Sequence, residues 1–396
     1  MSYKYSVYNS AKHNRGRRSS GPKRGGRRSE YINPSRFVAV AKPAPVSEHA
    51  IKHRFQDFDI DERLKSNMTA KGFVTPSPIQ DQAIPLALSG QDVIGLANTG
   101  TGKTAAFAVP VLHALMTRQQ AKALIIAPTR ELAQQIEQEC RSISKGGNIR
   151  DALLIGGTNM GPQLRDLRNQ PRMVIGTPGR IKDHIERGTL KLEQFNLVVL
   201  DEVDRMLDMG FVNDITSILH RLAPKRQSFF FSATMDPRVQ GLIGTFANDP
   251  QTVSVKSGDS SDHVNQDVVR YSGNTDKMDK LHDILIKDEV AKVIVFDETQ
   301  RNVEKLSREL IARGFSADSI HGGKSQGQRK RALQGFKASQ TTVLVATDVA
   351  ARGIDVVDIT HVINYTQPNS YQDYVHRIGR AGRAGRIGHA LTFVER

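Results

Sequence analysis

The 396-residue chain reads as α/β: two doubly wound parallel-sheet domains behind a basic, disordered N-terminal tail. Three observations predict this. Short Val/Ile/Leu runs alternate with helix-length stretches, the pattern of parallel strands covered on both faces. The alternation breaks at a polar Gly/Ser stretch, "VKSGDSSDH" (255–263), and then restarts, which divides the chain in two. Ahead of it all lies a segment with almost nothing apolar to bury.

That segment, residues 1–50, carries eleven Lys and Arg against Glu30 and Glu48, nine of the fifteen net positive charges. Its centre, "NRGRRSSGPKRGGRRS", cannot offset the entropy of ordering a chain, so disorder is expected throughout 1–50. A polyanion is the natural partner. Tyr3, Tyr5, Tyr8 and Tyr31 interleave with the cations and would stack on bases. A solvated or localisation-type run is the plainer reading, but the charge density favours nucleic acid, without sequence preference.

The first domain is placed at 51–255, with strands at 92–97, 122–128, 151–156, 172–177, 197–201 and 228–233. A linker at 256–265 follows, then a second domain at 266–396 with strands at 292–296, 341–347 and 360–365. No close sequence repeat relates the halves. The single cysteine, Cys140, permits no internal disulfide and suggests a reducing compartment. No apolar run approaches membrane-spanning length, so a cytoplasmic protein without membrane contact is expected.

The first strand runs into "ANTGTGKT" (97–104). Between a strand and a helix, Thr99, Gly100, Thr101 and Gly102 would curl their N–H groups around phosphates, with a helix N-terminus aimed at the same anion. Lys103 would reach the β and γ phosphates, and the Thr104 hydroxyl would hold Mg²⁺. The general G-x-x-x-x-G-K-T pattern has Gly where this chain has Ala97. That exchange costs little, because the phosphate-cradling glycines come later. ATP and Mg²⁺ are therefore the expected cofactors.

A second signal explains itself only beside the first. "VVLDEVDRMLDMG" (198–210) crowds Asp201, Glu202 and Asp204 after an apolar strand, where like charges repel. A bound Mg²⁺ would offset that repulsion. Asp201 suits the metal ligand, and Glu202 the general base that polarises an attacking water. Helix-start acids without function are the plain alternative, which the nearby phosphate loop makes a poor one.

With these two motifs in place, the chain from about Phe55 onward resembles the DEAD-box RNA helicases of superfamily 2. The resemblance implies two RecA-like domains with ATP and single-stranded RNA bound across the cleft between them. "GFVTPSPIQ" (72–80) is similar to that family's adenine-reading motif. Gln80 would bond the adenine edge, and Phe55, 17 residues before Gly72, would stack on the ring. Among first-domain RNA-backbone motifs it matches "PTREL" through Pro128, Thr129 and Arg130, then Gly156 with Gly157, then "TPGR" through Thr177, Pro178, Gly179 and Arg180. "SAT", with Ser232 and Thr234, resembles the motif that couples hydrolysis to strand separation, through hydroxyl contacts to Asp204.

In the second domain, Phe296 with Thr299, and Gln326 with Arg329, resemble further motifs. In "ATDVAARGIDV" (346–356), Thr347, Arg352 and Gly353 would meet RNA and Asp355 the ribose. In "HRIGRAGR" (376–383), Arg380 and Arg383 resemble arginine fingers on the γ-phosphate, while His376 and Arg377 would couple the domains. Departures are Val203 for the usual Ala, Ala381 where Ser or Thr is common, and Asp297 and Glu298 in place of neutral residues. None removes a ligand, base or finger.

The resemblance implies an ATP-dependent RNA helicase, acting on the RNA backbone, monomeric, with ribonucleoprotein or ribosome-assembly complexes as candidate partners. An ATP-gated RNA clamp and a DNA-directed helicase of the same superfamily are the alternatives. A non-enzymatic RNA chaperone working through the tail is a third, which Lys103, Glu202 and Arg380 argue against.

Overall fold

Consecutive branched apolar residues form strands only where both faces of the sheet are covered, and both halves of the chain meet that condition. The computed structural model describes residues 31–42, 49–98, 100–255, 262–351, 356, 358–382 and 386–396. In the first domain the strands are β1 Val93–Ala97, β2 Ala123–Ile126, β3 Asp151–Leu154, β4 Met173–Gly176, β5 Leu197–Leu200, β6 Gln227–Ser232 and β7 Gln251–Val255. They form one seven-stranded parallel sheet in the order β3-β4-β2-β5-β6-β1-β7. The second domain holds β8 Val264–Tyr271, β9 Val293–Phe296, β10 Ala317–Ile320, β11 Val343–Ala346, β12 His361–Asn364 and β13 Gly388–Glu395. These make a six-stranded parallel sheet, β10-β11-β9-β12-β13-β8.

Side chains alternate between the two faces of each strand, so each sheet has two cores. Val93 and Ala97 of β1, with Ala123 and Ile125 of β2, face one helical layer, while Ile94, Leu96, Leu124 and Ile126 face the other. In the second domain Ile294 and Phe296 point one way, Val293 and Val295 the other. Cys140 is fully buried in the helix Arg130–Ile143, its thiol pushed well up by that burial. Among the described residues no helix is long and apolar enough to cross a membrane.

Two sequence expectations need correcting. The linker placed at 256–265 overlaps β8, since Val264 and Asn265 are already paired with Gly388 and His389 of β13. More consequentially, residues 31–42 are not part of a disordered tail. Asn33 caps a short 3₁₀ turn, Pro34–Phe37, and Ile32 and Phe37 are buried in the second domain's core. Phe37 packs against Tyr374 with ring centroids 4.7 Å apart. Burying one such ring contributes about 2 kcal/mol, one part of what offsets the entropy of ordering the segment.

Candidate active site and nucleic-acid interface

Every strand of a parallel sheet ends on the same side, so the loops that follow the strands gather along one edge. In the first domain the order of strands sorts that edge in two. The loops after β1, β5 and β6 carry residues 97–104, Asp201–Asp204 and Ser232–Thr234. Those after β2, β3 and β4 carry Pro128–Arg130, Gly156–Gly157 and Thr177–Arg180.

The phosphate loop is held ready by its neighbours. Gly100 and Gly102 have φ of 87° and 91°, the left-handed region that glycine enters without strain. A Cβ on Gly102 would also collide with Gln80 Nε2. Gln80 donates from that nitrogen to the Gly102 carbonyl at 3.0 Å and accepts from the Ser77 N–H at 2.8 Å. One N–H and one lone pair of its amide are left for an adenine edge. Lys103 opens the helix Lys103–Thr117, and its Nζ donates to the Ala97 carbonyl at 2.9 Å. Phe55 departs from its expected place. It is 1% exposed, with its ring edge-on to Phe58 and Phe73, and its N–H donates to the Val74 carbonyl. Sealed in that aromatic cluster it offers no open face and instead anchors the loop that leads to Gln80.

The three acids each have a distinct setting. Asp201 is buried, which pushes its carboxyl up to about 7 against the pull of Lys103 and with the repulsion of Glu202. A buried carboxylate so poorly compensated suits a hard divalent cation, for which oxygen donors are the right ligands. Glu202 stands in the left-handed region, φ 53° and ψ 56°, at the turn into the helix Val203–Asp208. Burial would raise its carboxyl too, but Arg205, Lys103, Arg380 and His376 outweigh it and hold it below the ordinary range. The Arg205 guanidinium donates to Glu202 Oε2 at 2.8 Å. Val203 is fully buried among apolar residues, so its extra methyls are a matter of packing.

Asp204 faces the end of β6. Its Oδ2 accepts from the N–H groups of Ala233 and Thr234, at 3.1 and 2.9 Å, and from the Thr234 hydroxyl at 3.1 Å. The Asp204 N–H donates to the Ser232 hydroxyl at 3.3 Å. The acid cluster and "SAT" are thus one bonded unit.

At the other half of the edge, Arg130 lies over the Gly156–Gly157 turn so closely that a Cβ on Gly157 would overlap its guanidinium. Thr129 caps the helix Arg130–Ile143, and Thr177 precedes the helix Pro178–Glu186 with its N–H on the Leu154 carbonyl. Pro128 and Pro178 are buried and Gly179 is exposed. Arg180 makes an ion pair with Asp183 at 3.6 Å, while its Nη1 is buried without a hydrogen-bond partner.

The second domain meets this edge directly. Arg329 pairs with Glu131 at 2.9 Å, both side chains buried, and Gln326 donates to Gln134 at 2.9 Å and to Glu131 at 3.4 Å. Burial, then the charge of nearby Arg329, lowers the Arg130 guanidinium. Gln326 and Arg329, expected to meet RNA, therefore hold the domains together first. Thr347 follows β11 with its N–H on the Ile320 carbonyl, and Thr299 caps the helix Gln300–Ala312.

Arg380 is buried, its Nε on the His376 carbonyl, and its charge is felt by Glu202. Arg377 differs from expectation. Its three nitrogens donate to Asp348 at 2.6 and 2.7 Å, to Asn364 and to the Thr366 carbonyl, all in its own domain. It braces the helix Tyr371–Ile378 rather than reaching across. The unusual Asp297 is satisfied by the Thr366 hydroxyl at 2.7 Å. Thr99, Arg352, Gly353, Asp355 and Arg383 lie outside the described residues.

Sequence reasoning passed over Arg205 and Glu131. Both adjoin motif residues, yet only tertiary placement reveals their partners. The geometry brings together the Gly100–Thr104 turn, the buried carboxyls of Asp201 and Glu202, and Arg329 and Arg380 of the facing domain, beside an edge that carries Arg130 and Arg180.

Comparison with known proteins agrees in extent. The DEAD/DEAH box helicase family model matches residues 77–242, and that of the helicase conserved C-terminal domain matches 276–385. The ATP-dependent RNA helicase CshA of Listeria monocytogenes is 43% identical over 343 residues, covering 86% of this chain and 66% of that protein. The chain thus spans about two thirds of that relative's length. A DEAD box protein structure from Methanococcus jannaschii is 37% identical with a TM-score of 0.52, covering 87% of this chain and 93% of that one. Mss116p bound to single-stranded RNA and AMP-PNP is 28% identical with a TM-score of 0.78, over 90% of this chain and 77% of that one.

Proposed function

This chain belongs to the DEAD-box helicase family, and from that premise we propose that it is an ATP-dependent RNA helicase that separates short duplexes or remodels ribonucleoproteins as its domains close and reopen. One observation supports the reading: the second domain closes directly on the first, Arg329 pairing with buried Glu131 at 2.9 Å, with buried Arg380 near enough to help hold the Glu202 carboxyl low. Hydrolysis is then gated by closure.

ATP phosphates settle on the N–H groups of Gly100–Thr104 at the helix N-terminus, and Lys103 exchanges the Ala97 carbonyl for a phosphate oxygen. Asp201 and Thr104 would hold Mg²⁺, which when bound neutralises charge developing on the phosphate oxygens. Glu202, kept ionised by the surrounding cations, takes the proton of the attacking water as its oxygen bonds the γ-phosphorus and the bond to ADP breaks. Arg380 stabilises the charge in transit, a role for which Arg383 is the expected second group. Asp204 passes the state of the acid cluster to Ser232 and Thr234.

RNA lies along the other half of the edge, its phosphates met by Arg130, Arg180 and the N–H groups at Gly156, Gly157, Thr177 and Gly179. Contacts of this kind position a strand without reading its sequence. In this reading the protein works in the cytosol as a monomer.

Glu202→Gln is the test. Binding of ATP and RNA should persist while RNA-stimulated turnover falls at least about a hundredfold. Turnover near wild type would reject Glu202 as the base, and stimulation by DNA equal to that by RNA would redirect the substrate. A strand-displacement assay separates unwinding from clamping.

A further inference from the structure

The open edge of β8 is occupied by the chain's own N-terminal segment. Ala39 and Gln266 exchange backbone hydrogen bonds in an antiparallel bridge, at 3.0 Å from Ala39 N–H and 2.7 Å from Gln266 N–H. The next donors are satisfied as well, Ala41 N–H by Asn265 Oδ1 at 2.8 Å and Lys42 N–H by the Asp262 carbonyl at 2.6 Å. Phe37 is inserted against Tyr374, and the Arg36 guanidinium lies 3.7 Å from the centroid of the Tyr371 ring. Backbone pairing, a buried aromatic anchor and a cation on an aromatic face make up a built peptide site.

Seven residue steps later the chain is fixed to the first domain. Asp81, 2% exposed, accepts from His49 at 2.6 Å, from the His53 ring at 2.8 Å, and from the N–H groups of Lys52 and His53 at 3.1 and 3.0 Å. Asp81 directly follows Gln80, so this anchor stands on the helix that holds the phosphate loop.

We propose that residues 31–42, seated on β8 of the second domain, and residues 49–53, seated on Asp81 of the first, are the two anchored ends of a strap that ties the domains by a second covalent crossing. The connection between Lys42 and His49 spans at most about 25 Å, which limits how far the domains can part. Both crossings are rooted side by side on the second domain, since Lys42 also contacts Asp262 and His263. Adjacent tethers permit a swing but oppose twisting and separation, which raises the concentration of one half-site at the other. The strap's effect on RNA-dependent turnover rests on the helicase reading; its seating does not.

Amide exchange on the full chain tests the seating. The Ala39, Ala41 and Gln266 amides should be protected, and Phe37→Ala should release all three. Free-chain exchange at these amides in the wild type would overturn the proposal. RNA-stimulated ATPase tests the consequence. Removing residues 1–30 takes away nine of the eleven tail cations but leaves the seated segment, whereas removing 1–42 takes that segment too, with Arg36 and Lys42. The RNA concentration for half-maximal stimulation should rise about three- to tenfold from the first truncation to the second, with ATP affinity in the absence of RNA unchanged. Equal values for the two truncations would refute the tether. Because Phe37→Ala can loosen the second domain, Arg36→Ala serves as the milder variant and should shift RNA half-saturation the same way without lowering the melting temperature. A wild type that RNA fails to stimulate would count against the helicase reading and leave amide exchange to judge the strap.

Discussion

The two domains share a sheet architecture but divide the chemistry unequally. In the first, the nucleotide groups are already bonded to one another: Lys103 to Ala97, Gln80 to Gly102, Glu202 to Arg205 and Asp204 to Thr234. In the second, the corresponding edge supplies cations whose targets lie on the facing domain, Arg380 toward Glu202 and Arg329 toward Glu131. In the proposed mechanism the first domain binds, and the second decides whether binding leads to reaction. A division of this kind makes domain closure, rather than nucleotide capture, the controlled step.

The largest break in that comparison should come from Arg380→Ala. Loss of a transition-state arginine lowers turnover about 10³-fold, and the affinity for ATP without RNA should change by less than about threefold. A matching loss of ATP affinity would mean that Arg380 binds nucleotide in the ground state, erasing the distinction drawn between the domains. Next comes the bridge between them. Glu131→Gln leaves Arg329 buried without its partner, which costs about 3 kcal/mol and should weaken RNA binding in the presence of a non-hydrolysable ATP analogue by about a hundredfold. If a double-mutant cycle with Arg329→Ala gave no coupling, the ion pair would have no part in closure.

The smallest effect sharpens the contrast through pH. In the first domain burial pushes Glu137 up to about 7, with Arg141 opposing and Asp151 adding to it. An acid raised in the folded state contributes stability below its unfolded value of about 4.3, and that stability is lost as pH climbs through about 7. In the second domain burial, and then the stacked His389, lower His361 to about 4. Its stability is present above about 6.5 and lost as pH falls toward 4. Across the same span, about pH 4 to 7, the two groups therefore change stability in opposite directions as pH rises. Glu137→Gln should raise the first domain's melting temperature by a few degrees at pH 8 and by almost nothing at pH 5. Calorimetry showing equal shifts at both values would dismiss the ionisation as the cause.

What could be read from the sequence was whatever is contiguous. The phosphate loop, the acid cluster and "SAT" each occupy a few adjacent residues at a strand end, and their chemistry follows from residue type and order. The edge strands β7, β8 and β10 escaped notice because polar residues interrupt their apolar runs: "QTVSV", "VNQDVVRY" and "ADSI". β13, beside β8, was missed with it. Residues 31–42 escaped for a different reason. Averaged over the first fifty positions, a dense run of cations hides Ile32 and Phe37, and only the surface of the second domain gives those two a place to be buried. Gln326 and Glu131 stand 195 positions apart, and nothing local announces their meeting.

Glu202 has a cost of its own. An acid in the left-handed region carries on the order of 1–3 kcal/mol of backbone strain, and it is held there by its N–H on Asp201 and the Arg205 guanidinium on its carboxylate. Glycine at that turn would relax the chain and silence it. If Glu202 is the base, the position trades durability for output: a substitution that relieves the backbone there also removes the carboxylate.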